Sequence, residues 1–298
     1  MTLDSNEAFA LYFEGDEAHG RGDLDAAIAA WDALVKLLDE HDVEVLESDH
    51  GALPRVGVRT NLAALCQATK RWSDMRGYAE QLVAEHRNAD HLQLLATALK
   101  NDGDPARARE VIEEAVRLDP GCSNAHHEHA CILAAAGELE AALQAMDAAI
   151  GAGASPQSLK DDDELSMMAD VAGFDRVMSA ERWVEARLSK LAELATALGT
   201  FQTQTWGQNM PSDAEIETFD EAVEVTREIL GAAFAQGAPR DPQGRIVLAE
   251  CSELQRRVVD ELLSLEPLWK AIPFLNLIGE IGVPNTTVAD ARHALRPN

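Results

Sequence analysis

A spacing of 34 residues constrains this chain more than any other feature. Leu95-Ala96, six residues and Gly103-Asp104-Pro105-Ala106-Arg107-Ala108 are followed by His129-Ala130, six residues and Gly137-Glu138-Leu139-Glu140-Ala141-Ala142. Gly103 and Gly137, Ala108 and Ala142, Ala115 and Ala149, and Val116 and Ile150 all lie 34 residues apart. A fixed period of this length, with small residues at fixed offsets, is the signature of a helix–turn–helix solenoid. Two antiparallel helices of three or four turns cannot bury their apolar faces alone, so each pair stacks on the next. Ala96, Ala108 and Ala115 are predicted where helix axes cross closely, with Leu95, Leu99, Val111 and Ile112 filling the space between them. Gly103 is free to take positive φ and end the first helix, and Pro105 suits the first turn of the second, where its missing N–H costs nothing. Pro120 closes the repeat.

The same frame extends in both directions. Gly15, Ala18, Gly22, Leu24, Ala27, Ile28, Trp31 and Leu34 place a repeat at 7–40. Leu62, Ala63, Cys66, Trp72, Ala79, Leu82 and Val83 place a degenerate one at 55–87, in which Lys70 stands for the turn glycine and Met75 for a small crossing residue. The clean repeats are 89–120 and 123–154. Residues 41–54 are an insertion, expected as a loop or spacer on one face. After the last repeat, a short helix from Gln157, then Asp161-Asp162-Asp163-Glu164-Leu165 and Gly173-Phe174, reads as a cap in which Leu165, Met168, Phe174 and Val177 pack on the array. The four acids fall on successive positions of a turn, so they are expected to point apart into solvent.

Beyond residue 180 the period is lost. Val184, Leu188, Leu191, Ala195 and Leu198 predict an amphipathic helix, and 200–211 a loop. Ser212 and Glu215 form a capping box for a helix with Ile216, Phe219, Val223, Thr226 and Leu230 on one face. GAPRDPQG at 237–244 is a break. A third helix is predicted from Arg245 to Leu265, ended by Pro267, with Val247, Leu248, Cys251, Leu254, Val258 and Leu262 inward. Short helices are expected around Pro273 and Pro284.

Charge and cysteine usage narrow the function. Fifty-two acids against 25 bases give a net charge of −27, which argues against nucleic acid and anionic membranes and permits a basic partner. The first 50 residues hold 14 acids and two bases. Four scattered cysteines do not make a disulfide framework, and neither a basic–apolar leader nor an 18-residue apolar run is present. The expectation is a cytoplasmic protein without membrane insertion.

No nucleophile elbow, HExxH motif, phosphate loop or dinucleotide fingerprint occurs. The densest chemical cluster is Cys122, His126, His127, His129 and Cys131. His126 and His129 fall on core-facing positions and His127 and Cys131 on the opposite face, so a metal would need ligands from elsewhere. No metal and no cofactor are predicted.

The repeats resemble the tetratricopeptide repeat family over about 7–178, with no family resemblance in the remaining 120 residues. The resemblance implies an all-α fold with a four-repeat α-α superhelix and its cap in 1–178, and the apolar spacing beyond it predicts a helical C-terminal domain in 179–298. It further implies a protein-binding groove along the inner faces of the first helices. Carried over by position, that lining is Phe9, Tyr12, Asp16 and His19; Thr60, Ala64 and Gln67; Gln93, Thr97, Lys100 and Asn101; and His127, Cys131 and Ala134. Some members clamp a C-terminal carboxylate with several Lys and Arg. Here only Lys100 is basic on that face, which argues against this use. The reading is a non-enzymatic adaptor or chaperone-like scaffold whose partner is a protein or peptide segment with apolar anchors and basic residues. Two alternatives stand beside it: a regulatory subunit for a basic partner, and an enzyme or effector with its activity in 180–298. A groove filled by the chain's own C-terminal segment is the competing reading of the surface.

Overall fold

The computed structural model describes residues 3, 5–48, 51–199, 212–234, 242 and 250–265. The described residues are all-α apart from one β-hairpin. The chain divides into two compact bodies, one of Met1–Ala152 with Asp162–Val171, the other of Gly153–Asp161 with Ala172–Asn298.

The first body is built from four helical hairpins: α1 (Ser5–Gly20) with α2 (Leu24–Glu40), α3 (Arg55–Ala68) with α4 (Trp72–Glu85), α5 (Ala89–Asn101) with α6 (Pro105–Leu118), and α7 (Ser123–Ala135) with α8 (Leu139–Gly151). Several helices start at a side-chain cap: Asp23 accepts from Ala26 N–H, Asn88 from His91 N–H and Asp104 from Arg107 N–H. Each hairpin turns through one left-handed residue, Gly22, Lys70, Gly103 or Gly137, with φ of 77°, 57°, 92° and 78°. The N–H that follows it reaches back to a carbonyl five residues earlier in all four: Asp23 to Ala18, Arg71 to Cys66, Asp104 to Leu99 and Glu138 to Leu133, at 2.8–3.0 Å.

Small residues sit at the crossings. Ala63, Ala79, Ala96, Ala108, Ala115, Ala130, Ala142 and Ala149 are fully buried, and Leu34, Leu38, Leu62, Leu82, Leu92, Leu99, Ile112, Met146 and Ile150 fill the space between the helices. Each large side chain so buried stabilises the fold by about 1.5–3 kcal/mol. Met75, the one large residue expected at a crossing, is accommodated at 0% exposure.

The insertion differs from the expected loop. Residues 41–54 contain the antiparallel strands β1 (Val45–Ser48) and β2 (Gly51–Pro54), in register from Val45 opposite Pro54 to Ser48 opposite Gly51. Leu46 is 4% exposed and joins the core of the first hairpin, so the strand is tied down by burial. The alternation Val45-Leu46-Glu47 carries this pattern in a stretch too short to announce it.

In the second body, α9 (Pro156–Lys160) and α10 (Phe174–Val177) precede three longer helices, α11 (Ala180–Gly199), α12 (Asp213–Phe234) and α13 (Glu253–Ser264). Val184, Leu188, Leu191, Ala195 and Leu198 are buried on α11 as patterned. Ser212 caps α12 reciprocally with Glu215. The inward stripe of α12 is Ala222, Val225, Thr226, Ile229 and Ala233, however, while Ile216 is 41% exposed. Phe219 and Leu230, expected on the inward face, pack against the same core but stay only partly buried. Among the described residues α13 begins at Glu253, eight positions after the predicted start, because Ser252 and Gln255 close a capping box there. The predicted loop at 200–211, the break at 237–244 apart from position 242, Val247, Leu248 and the short helices around Pro273 and Pro284 lie outside the described residues. No described helix is long and apolar enough to cross a membrane.

Candidate functional site

The inner side of the repeats is identified by which helices touch. α5 meets α7 directly, whereas α6 and α8 have at most a marginal contact. The odd-numbered helices therefore converge on the shorter, inward side of the third and fourth hairpins. The residues of α1, α3, α5 and α7 expected to line it occupy three different environments.

At the α1 end the side chains form an aromatic cluster. Phe9 and Phe13 have ring centroids 6.3 Å apart, Tyr12 and Phe13 5.6 Å, and Tyr12 stacks 6.5 Å from Trp31. Trp31 donates its indole N–H to the Tyr12 carbonyl at 3.2 Å and lies 5.9 Å from the His19 ring. Gly15 makes room for the indole: a Cβ there would stand 2.2 Å from Trp31 Nε1. Phe9 and Tyr12 are half-buried on this support, Asp16 and His19 are exposed, and Phe13 is 51% exposed. Phe13 was not among the expected lining residues; its large apolar ring one position from Tyr12 on an acidic helix is the signal that could have found it.

The middle is polar and mostly self-satisfied. Thr60 is half-buried and donates to the Val56 carbonyl at 2.9 Å, and Gln67 is exposed two turns further along α3. On α5 the Gln93 amide donates to Thr97 Oγ1 and the Asn101 amide to the Thr97 carbonyl, both at 2.9 Å. Thr97 is 4% exposed.

The α7 end is covered by the chain itself. A 3₁₀ segment, Asp163–Asp170, buries Leu165 and Met168, and the residues at its start reach the inner side chains. Lys100 Nζ lies 2.9 Å from Glu128 Oε1 and also pairs with Glu164. Burial opposes the charge on Lys100, but the carboxylates of Glu128 and Glu164 more than offset it and hold the ammonium above the ordinary lysine range. His127 Nε2 donates to Asp162 Oδ2 at 2.8 Å, and Cys131 Sγ donates to the same oxygen at 3.7 Å. Burial first, then Glu128 and Asp162, push the Cys131 thiol well above the usual range. The acids of 161–164 thus do not all point apart. The chain here is a turn entering a 3₁₀ helix, and Asp162 and Glu164 are aimed at α7 and α5. Lys100 is committed, so it is not the free cation of a carboxylate clamp.

The histidine–cysteine cluster separates as its register implies, with one addition. His126 is buried with Nε2 2.9 Å from the Pro120 carbonyl, and Cys122 Sγ donates to Asp90 at 3.5 Å. Burial lowers the His129 pKa. His127 and Cys131 stay together, one turn apart, and Asp162 supplies the third group from outside the helix.

Residues 94–158 match the tetratricopeptide-repeat family model, a span from within α5 to α9 that holds the two clean repeats. No curated protein sequence matches the chain. Among solved structures, MamA aligns at 16% identity over 76% of this chain and 94% of its own, with a TM-score of 0.41. A tetratricopeptide-repeat protein of Thermus thermophilus aligns at 16% identity over 86% of this chain and 99% of its own, TM-score 0.39. One from Parabacteroides merdae aligns at 10% identity over 97% and 98%, TM-score 0.41.

Proposed function

We propose that the protein is a non-enzymatic adaptor or chaperone-like scaffold that holds a segment of another protein along the inner side of its repeats, anchored at the α1 end. The observation that carries this reading is the aromatic cluster. Phe13 is half-exposed beside Phe9 and Tyr12, on a rigid backing of Trp31, with Glu14, Asp16 and Glu17 exposed around it. An aromatic surface of this kind offers large contact area at small entropic cost, and such residues dominate binding energy where they become buried. The acids select a partner with apolar anchors flanked by Lys or Arg. The lining extends over Asp16 and His19 to Thr60, Gln67 and Gln93; Thr97, expected on it, is 4% exposed and bonded to Gln93, so it supports the surface from below. At Lys100, His127 and Cys131 the chain's own Asp162 and Glu164 lie close, so the incoming segment is read as ending before them and before Asn101 beside Lys100. An inhibitory subunit for a basic partner would use the same surface. The free thiols of Cys66, Cys122, Cys131 and Cys251 support a reducing, cytoplasmic setting.

The test is site-specific photocrosslinking in the native host, with a benzophenone side chain at position 13 and, as a control, at exposed Arg117 on α6. Capture of one protein from position 13 alone, through a segment combining apolar and basic residues, is the expected result. That segment as a peptide should bind Phe13→Ala at least about tenfold more weakly. Capture from position 117 alone, or unchanged peptide affinity in the variant, defeats the reading.

A further inference from the structure

We propose that His127, Cys131 and Asp162 form a transition-metal site of the zinc class, which clamps the segment after the repeats onto α7. His127 and Cys131 are four residues apart and share a helix face, so both ligand atoms project from the same side of α7. Asp162 brings a carboxylate from a separate piece of chain, and the imidazole nitrogen, thiol sulfur and carboxylate oxygen all lie within 4.8 Å of one another. Ligands at zinc's usual bond lengths in tetrahedral geometry sit about 3.3–3.6 Å apart. Here the nitrogen–oxygen and sulfur–oxygen separations are 2.8 and 3.7 Å, so the Asp162 carboxylate moves about half an ångström away from His127 to make room for the ion.

The chemistry of the three groups selects the ion. One nitrogen, one sulfur and one oxygen suit zinc and its neighbours, whereas calcium and magnesium require oxygen alone. The surroundings favour a cation as well. The charged groups acting on Cys131 are three carboxylates, Glu128, Asp162 and Glu164, against the single ammonium of Lys100. On binding, the two hydrogen bonds that now converge on Asp162 Oδ2 give way to metal–ligand bonds. The Cys131 thiol releases its proton to solvent and binds as thiolate. His127 binds through Nε2 as neutral imidazole, its proton on Nδ1, and Asp162 binds as carboxylate. The ion's two positive charges are matched by the thiolate and the carboxylate. His127 and Asp162 have side chains 26% and 27% exposed, so the fourth position faces solvent and takes water or a further ligand.

The experiment uses the full chain, stripped with a chelator and titrated with Zn²⁺ against a chromophoric competitor. One equivalent is expected to bind. Cobalt in its place should show a thiolate-to-metal charge-transfer band. Cys131→Ser, which keeps the volume of the buried side chain, and Asp162→Asn, on a partly exposed turn, should each weaken Zn²⁺ binding by more than about 100-fold with unchanged circular dichroism. Amide exchange in 162–170 should slow when Zn²⁺ is added to the parent chain and not in Asp162→Asn. Uptake far below one equivalent, a cobalt spectrum without the thiolate band, or one equivalent retained in both variants overturns the proposal.

Discussion

At the scale of single residues, the turn between the helices of each hairpin is decided by one left-handed backbone position. Three of the four turns place glycine there and the second places Lys70, at φ 57°. The hydrogen bond that follows is the same in all four, so Lys70 is held in place by the array and not by its own preference. A Cβ in this region costs roughly 1–2 kcal/mol, and glycine's larger entropy when unfolded takes back part of the gain from removing it. Lys70→Gly is therefore expected to stabilise the protein by about 0.5–1 kcal/mol, read as a higher urea midpoint with an unchanged slope. A lower midpoint would mean that the lysine side chain contributes more than its backbone costs. Gly15 illustrates the other use of glycine: its helical backbone needs no special freedom, and what matters is the indole that fills the place of a side chain.

At the scale of elements, the first two hairpins are joined by a charged cluster that no local pattern reveals. Arg59 is 4% exposed and pairs with Asp39 at the end of α2 and Glu85 at the end of α4, while Arg55 lies 3.2 Å from Asp39 and 2.8 Å from Glu85. Two guanidiniums and two carboxylates thus tie three helices together across the inserted β-hairpin. Burial would raise the Glu85 pKa, but hydrogen bonds and charge from Arg59 and Arg55 more than offset this and hold it below its ordinary value of 4.5. A depressed carboxylate pKa contributes stability above the unfolded value and loses it as pH falls through the folded one. Glu85→Gln should cost about 1.5 kcal/mol at pH 7, the lower end for charged hydrogen bonds because the side chain is 26% exposed. The gap between parent and variant should close as pH drops below 4.5, measured by urea unfolding at a series of pH values. A gap that stays constant into acid would show that the cluster is held by packing alone. The helices themselves were legible from period and small-residue frame. The β-hairpin and the register of α12 were not, because strands of four residues and a choice between adjacent helix faces are settled by what packs against them.

At the scale of the molecule, the net charge of −27 sets the long-range field, and a basic partner approaching the acidic α1 end would be drawn in by it. Exposed ion pairs add only about 0.2–1 kcal/mol each to affinity, so the field should act on approach and the aromatic cluster on residence. For the captured partner segment, raising salt is expected to lower the association rate much more than it raises the dissociation rate, as followed by stopped-flow fluorescence. A dissociation rate that carries most of the salt dependence would place charged pairs, and not aromatics, at the centre of the interface.

The amino-acid sequence by itself determined the helical hairpins, their turns, the alanines at their crossings and the split of His126 and His129 from His127 and Cys131. These follow from the period of one helix and one repeat, which is local information repeated along the chain. Only the tertiary structure decided that Asp162 meets His127 and Cys131, that Glu164 joins Glu128 on Lys100, and that Arg55 and Arg59 bridge Asp39 and Glu85. Each of these pairings joins residues of different elements, brought together by helix packing within a hairpin, between hairpins, or against the segment that follows the repeats. Their partners lie about 16 to 64 residues away in the chain, at no fixed spacing. Periodicity can say which face of a helix a residue occupies, but what stands opposite that face is set by how the hairpins pack.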